Sequence, residues 1–421
     1  MKNKLVFKNG VVADSKAVQK KDISVCGGVF SSLGVSPEKI EDVSNLYILP
    51  GFTDVHVHFR EPGFSYKETI KTGSMAAARG GYTRVCTMPN LFPVPDTLSH
   101  LKEQLDIINR DACIEVVPFG SVTMGEKGEK LSDMEETARF VAGFSDDGRG
   151  VQSESMMREA MLKAKELGKV ISAHCEVDSL LKGGYVHDGK YAREHGHRGI
   201  SSESEWREIE RDIKLAYETG VKYHVCHVST KESVALIRDA KKSGGDITFE
   251  TAPHYLLLDD SMMREDGRFK MNPPLRDKKD REALIEAMID GTLDMIATDH
   301  APHSFEEKSR GLEKSLMGIV GIETAFPLLY TGFVKKGIVT LERLIELLVD
   351  GPCGRFGFEY GINDGKDASF SVWDLEEEYK IDPAMFLSKG KSTPFEGEKV
   401  FGRCIRTYCK GKLIYSDKGN R

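Results

Sequence analysis

The sequence predicts an α/β protein: a (β/α)8 barrel of the TIM type with a small flanking β domain built from both ends of the chain. Three observations lead there. Between residues 50 and 350, short β-type runs alternate with helical patterns, as βαβ units around a parallel sheet require. Several runs end in His or Asp, and the C-terminal ends of parallel strands are where such a barrel places its chemistry. The two ends of the chain instead read as short strands separated by turns.

The first segment, 1–50, gives Lys4–Lys8, an Asn9-Gly10 turn, Asp22–Cys26, then Gly27-Gly28 and Val29-Phe30. The barrel segment, 51–355, offers Tyr82–Cys86, Ile114–Val117, Val170–Ala173, Lys222–Cys226, Asp246–Phe249 and Leu293–Ala297 as strands. Helical patterns lie between them, for example Ser155–Leu167 and Ser202–Thr219. The last segment, 356–421, matches the first, with strand-like runs at Ala368–Asp374, Arg403–Tyr408 and Leu413–Tyr415. No internal repeat or low-complexity tract interrupts this plan. Ser304–Gly318, rich in charge and glycine, reads as a mobile loop beside the site.

Composition narrows the function. A chain of 421 residues has room for one large barrel and a smaller domain. A net charge of -7, with no Lys/Arg stripe, leaves no footprint for nucleic acid. No stretch reaches the apolar length of a membrane span, and Met1–Lys8 lacks the apolar core of a signal segment. The expectation is a cytoplasmic protein acting on a small molecule. Eight cysteines without a C-x-x-C read as reduced, mostly buried thiols. Cys175 and Cys226 adjoin histidines, but strand neighbours point to opposite faces, so neither is expected to share a metal.

The chemistry begins at Asp54-Val-His-Val-His-Phe-Arg60. Strand alternation puts Asp54, His56, His58 and Arg60 on one face, with alternate side chains about 6.5 Å apart, so two imidazoles can converge on one metal. A lone His is usually a core or surface residue; a His-x-His closing an apolar strand is less easily read so. His174, His227 and Asp299 each follow a different predicted strand and supply further N/O ligands. That donor set suits zinc and also other divalent ions.

These residues carry a resemblance. The chain resembles the amidohydrolase superfamily and, within it, the bacterial class I dihydroorotase family. The telling segments are Asp54–Gly63 (DVHVHFREPG), Thr87–Asn90 (TMPN), Phe144–Gln152 (FSDDGRGVQ), Met271–Arg276 (MNPPLR) and Ala297–His303 (ATDHAPH). The His-x-His marks only the superfamily; the Arg-Glu-Pro-Gly continuation and Asn-Pro-Pro-Leu-Arg are more specific. The resemblance implies two zinc ions per subunit, bridged by Asp147 and a hydroxide. His56, His58 and Asp299 would hold the first ion, and His174 and His227 the second. Many superfamily relatives have a carboxylated lysine at the bridging position, so an aspartate there argues against a hydantoinase or dihydropyrimidinase. Without the resemblance, Asp146-Asp147-Gly148 would read as a plain turn.

The activity so implied is reversible ring opening of (S)-dihydroorotate to N-carbamoyl-L-aspartate in pyrimidine synthesis. Asp299 would move the proton during attack. Arg60, Asn90 and His303, beside the ligand His58, would hold the substrate carboxylate, and Asn272 with Met317 and Gly318 would contact the ring. Two departures concern the pocket's shape: Met317 stands where the family often has Phe, and Val177 where Asp is more usual. His254 reads as structural, and His187, His195 and His197 as solvated. The rivals are another cyclic amidohydrolase, such as an allantoinase or hydantoinase, and a non-catalytic partner subunit of aspartate transcarbamoylase. The expected assembly is a homodimer, with association with aspartate transcarbamoylase as a further expectation.

Overall fold

The computed structural model describes residues 4–31 and 37–417; the start of the Met1–Lys8 segment read above lies outside the described residues. Eight parallel strands make the barrel: β1 (Phe52–Val57), β2 (Tyr82–Thr87), β3 (Glu115–Pro118), β4 (Gly143–Ser145), β5 (Val170–Ala173), β6 (Lys222–Val225), β7 (Ile247–Thr251) and β8 (Met295–Ile296). Pairing runs from β1 to β3 and from β4 to β8. Gly120–Ser121, just beyond β3, carries the ring on to β4 through Gly120 and Phe144. The ring closes where Val57 bridges His300 and the His58 N–H donates to the His300 carbonyl at 2.9 Å.

This is the barrel expected from the alternation of elements. β1 is buried at every position, as a strand packed inside and out must be. β4 was not among the expected strands: it has three residues and runs directly into Asp146-Asp147, too short for a periodic signal. The intervening helices carry ordinary end signals. Glu154–Glu166 starts at Ser153, whose hydroxyl accepts from the Met156 N–H, and Glu203–Thr219 stops at Gly220 with a left-handed φ of 66°.

Both ends of the chain meet beside the barrel. One sheet joins Val29–Phe30, Ile23–Cys26, Lys4–Lys8 and Lys39–Asp42. A six-stranded sheet runs Lys412–Ser416, Lys399–Cys409, Phe370–Lys380, Tyr47–Pro50, Val11–Ala13 and Val18–Lys20. Phe7, Phe370 and Tyr408 form its aromatic centre, with Phe370 stacked on Tyr408 at 4.7 Å and Phe7 edge-on to Phe370 at 5.1 Å.

Among the contacts that tie this unit to the barrel, two bear on the site. Trp373 is fully buried against Phe326 (4.4 Å between centroids) and Phe52 (5.9 Å), at the start of β1. The connection 381–398 travels along the barrel to its other end. There Glu323 accepts from the Leu387 and Ser388 N–H groups at 3.0 and 3.1 Å, and Ser388 donates its hydroxyl to Glu68. Gly390 lies so close to Pro302 that a Cβ would come within 2.6 Å of it. Among the described residues no helix is long and apolar enough to cross a membrane.

Truncating Trp373 leaves a cavity between sheet and barrel. Trp373→Ala is expected to destabilise the fold by about 3–5 kcal/mol, read as a lower denaturation midpoint.

Candidate active site

The barrel's C-terminal end gathers the predicted ligands, and two of the imidazoles, His56 and His58, are aimed by a second contact. His56, in β1, points Nδ1 at Glu250 Oε1 on β7 (2.7 Å) and Nε2 at Asp147 Oδ1 (3.3 Å) and Asp299 Oδ1 (3.7 Å). His58 pairs Nδ1 with Asn90 Oδ1 (2.9 Å), leaving Nε2 3.1 Å from Asp299 Oδ1 and 3.5 Å from Asp147 Oδ2. A carboxylate or amide oxygen on one ring nitrogen fixes the proton there and frees the other nitrogen's lone pair. After β5 and β6, His174 Nδ1 and His227 Nε2 face each other at 3.0 Å, at 3.7 and 3.6 Å from Asp147 Oδ1.

Asp147 therefore stands at the centre, and Asp146 explains why. Asp146 accepts from the Val122 and Thr123 N–H groups (2.7 and 3.0 Å) and from the Thr123 hydroxyl. Its carboxylate pins the turn after β4 to the segment after β3. Asp147, the next residue, is left facing the barrel axis. Gly148 and Gly150, with φ of 84° and 66°, then take the chain away again.

The donor set fits metal ions. His56, His58 and Asp299 place ligand atoms within 4.8 Å of one another, and so do His56, Asp147 and His227. His56 Nε2 and Asp147 Oδ1 are buried and make no hydrogen bond. A buried acceptor and a buried ring nitrogen left without partners are costly unless a cation takes up both. Without one, protons must do so. Burial alone would raise Asp147 and lower His56, yet their mutual charge holds Asp147 well below the usual carboxylate range and His56 well above the usual imidazole range. For Asp299, burial again opposes ionisation and the hydrogen bond with His58 restores it, so its pKa is lowered.

Three site residues depart from regular backbone. Arg60, His227 and Asp299 have left-handed φ values of 59°, 34° and 46°. Each costs about 1–3 kcal/mol in a non-glycine residue, a cost that persists where surrounding structure fixes the position. β1 ends at Val57, so Arg60 reaches the site through this turn and not, as alternation suggests, along the strand. Asp54 likewise leaves the ligand group. It accepts from the Thr298 hydroxyl (2.6 Å) and the His56 N–H (3.0 Å), strapping β1 to the chain after β8; burial pushes its pKa up to about 7.

Around the ligands lies a polar pocket. Arg60 is buried, donates Nε–H to the Pro302 carbonyl at 3.3 Å, and has Nη2 3.5 Å from His303 Nε2. Among the described residues no carboxylate forms an ion pair with it. His303 also lies 2.7 Å from the Met317 carbonyl through Nε2, and Lys67 Nζ stands 3.4 Å from its Nδ1. Burial, then the charges of Arg60 and Lys67, push the His303 pKa down to about 3. Asn272 donates to Glu176 Oε2 at 3.1 Å, and its Oδ1 is buried without a partner. Gly318 has φ 132°, and a Cβ there would meet the Ala301 carbonyl at 2.7 Å and His303 Nε2 at 3.0 Å.

Some sequence expectations need correcting. His187 is buried, not solvated: it lies 3.3 Å from Arg276 Nη1, and burial with that charge lowers its pKa to about 3. His195 is exposed, and His197 is partly covered beside Tyr185 (2.9 Å). Cys226 does not turn away from the site: it lies beneath the ligands, with His56 and Glu250. His254 is buried, its pKa lowered by burial to about 4. The loop 304–318 is folded, with short helices Phe305–Lys308 and Gly311–Lys314 and a capping box at Ser304.

Sequence reasoning passed over Glu250, Glu176 and Lys67. Glu250 bridges His56 and, at 3.1 Å, His224 Nε2; burial opposes its charge, but the two imidazoles bring its pKa down to about 2. A signal existed in Ile247-Thr-Phe-Glu-Thr251, where a carboxylate interrupts a buried strand and must have a partner.

The site and fold match known proteins. A family model described as dihydro-orotase-like matches residues 46–233. The dihydroorotase of Fusobacterium nucleatum is 49% identical over 420 residues, 98% of this chain and 99% of that protein. That of Bacillus licheniformis is 49% identical over 98% of both chains. The chain belongs to the dihydroorotase family. Among solved structures, the L-hydantoinase (dihydropyrimidinase) of Arthrobacter aurescens superposes with a TM-score of 0.88 at 25% identity, covering 100% of this chain and 97% of that one. The dihydropyrimidinase of Brevibacillus agri gives 0.85 at 23%, over 99% and 95%. The family is one of hydrolases within the amidohydrolase superfamily, and the barrel is shared with these neighbours.

Glu250 aims His56 through Nδ1, leaving Nε2 toward Asp147 and Asp299. Glu250→Gln is expected to weaken metal binding by about 10–100-fold, measured by competition with a chromophoric chelator.

Proposed function

We propose that the protein interconverts (S)-dihydroorotate and N-carbamoyl-L-aspartate, running toward cyclisation in pyrimidine synthesis. One observation carries the substrate class: Arg60 is a buried guanidinium with no carboxylate paired to it among the described residues, beside His58 and Asp299. A buried cation without a counter-ion favours an anionic substrate, and a planar guanidinium matches a carboxylate in two parallel hydrogen bonds. Full-length identity near one half with dihydroorotases supports the same choice.

In this reading His56, His58 and Asp299 hold one zinc ion, His174 and His227 a second, and Asp147 bridges them. Ions so held supply a water acidic enough to ionise near neutral pH and polarise the scissile carbonyl. The chain's own groups do the rest. Asp299, kept ionised beside His58, accepts the proton as oxygen adds to the ring carbonyl. When the C–N bond breaks, it returns that proton to the departing ring nitrogen. Cyclisation is the reverse. Arg60, Asn90 and His303 hold the substrate carboxylate; Asn90 has spent Oδ1 on His58 and has its amide N–H groups to offer. Asn272 Oδ1 accepts from a ring N–H, and the Met317–Gly318 backbone lies along the ring's edge. To the same reading belong two zinc ions per subunit, a homodimer, a cytoplasmic location and association with aspartate transcarbamoylase, tested by metal analysis, sedimentation, cell fractionation and co-purification.

Zinc-loaded protein is expected to interconvert dihydroorotate and carbamoyl aspartate, followed by chromatography of both, and to leave allantoin and hydantoin intact. The opposite preference would assign another cyclic amidohydrolase. Asp299→Ala should abolish turnover; retained activity removes Asp299 from proton transfer. Arg60→Met should lower kcat/KM for dihydroorotate about 10–100-fold, the worth of charge-assisted hydrogen bonds, in steady-state assays.

A further inference from the structure

The segment after His303 is fastened by a buried lysine. Lys308 is 6% exposed and donates its ammonium to two backbone carbonyls, Lys270 at 2.9 Å and Leu316 at 2.7 Å. Among the described residues no carboxylate pairs with it. Burying an ammonium on neutral acceptors alone is unfavourable, and burial, with the charge of Lys270, lowers its pKa to about 7. The acceptors are not arbitrary. Lys270 lies two residues before Asn272, and Leu316 one residue before Met317.

Other contacts run across the same seam. The Gly318 N–H donates to the Lys270 carbonyl at 3.0 Å, and Lys270 Nζ answers with a bond to the Glu313 carbonyl at 2.8 Å. Within 308–318 itself, Ser315 donates its hydroxyl to the Lys308 carbonyl at 3.0 Å. Gly267 packs so tightly here that a Cβ would meet the Lys308 carbonyl at 2.2 Å and Ser315 Oγ at 2.4 Å. Two segments distant in sequence, 267–272 and 308–318, are thereby joined, and the Lys308 ammonium is the group that takes a carbonyl from each.

We propose that Lys308 is a positioning residue for substrate binding: by joining the carbonyls of Lys270 and Leu316, it fixes the Met317–Gly318 turn against the segment that carries Asn272. The inference rests on the reading above that Asn272, Met317 and Gly318 contact the substrate ring. Lys308 itself touches neither the ligands nor the substrate. Its removal releases the turn and leaves the metal centre and Asp299 as they are. The cost therefore falls on binding, because the freed segment must be ordered each time substrate enters.

The test is Lys308→Met in the zinc-loaded full chain. KM for dihydroorotate is expected to rise about tenfold while kcat changes less than about threefold, the split that lost ordering without lost chemistry produces. Zinc content stays at the wild-type level, and hydrogen exchange quickens at residues 304–318 but not in the barrel strands. An unchanged KM, or a fall in kcat at constant KM, overturns the proposal. Should Lys308→Met fail to fold, Lys270→Met removes the side-chain bond to the Glu313 carbonyl across the same joint and leaves Lys308 in place. Its KM must rise in the same direction, and an unchanged KM there overturns the proposal equally. If wild-type enzyme does not turn over dihydroorotate, the substrate reading fails, while exchange at 304–318 in the variants still decides whether Lys308 holds the joint.

Discussion

Asp147 is a carboxylate buried at the mouth of the barrel with four imidazoles around it, and much of the structure follows from keeping it there. Its charge cannot stay in that place uncompensated. Protons on His56 meet it in the protein alone; metal ions would meet it by accepting the free ring lone pairs and the carboxylate oxygens together. The neighbouring groups serve the same end. Asp146 ties down the turn, Glu250 and Asn90 fix the tautomers of His56 and His58, and Asp54 clamps the closing strands.

The pocket beside this centre is polarised in the opposite sense. Arg60 and Lys67 bring cationic groups to one side of the mouth, and the burial of Arg60 with no carboxylate paired to it among the described residues leaves room for an anion. A negative centre and a positive rim within one cavity suit a substrate whose carboxylate and scissile bond lie at opposite ends. The barrel shared with the hydantoinase neighbours carries these groups on its mouth loops, where such a fold sets its chemistry.

Much of this was legible in the chain. The eight-stranded plan could be read because strand and helix periods differ and because His and Asp recur at strand ends. The ligands could be read as residue types, and Asp147 only through the resemblance. What escaped shares a physical reason. β4 is three residues long, too short to show a period. Arg60 reaches the site through a left-handed turn that alternation cannot anticipate. Glu250, Glu176 and Lys67 act through other residues, and contacts between distant segments leave no local pattern. His187 looked solvated because its surroundings in sequence are polar, yet Arg276, far along the chain, covers it.

The connection 381–398 holds none of the groups that bind or react, yet it ends under Pro302 and on Glu68 and Glu323, against the backs of the segments that carry His303 and Arg60. This connection is for that reason a poor place to look for neutral change. In a random mutagenesis screen for lost activity, changes near Ser388 and Gly390 will be recovered beside those in the mouth loops, although a map of contacting residues would leave that stretch blank.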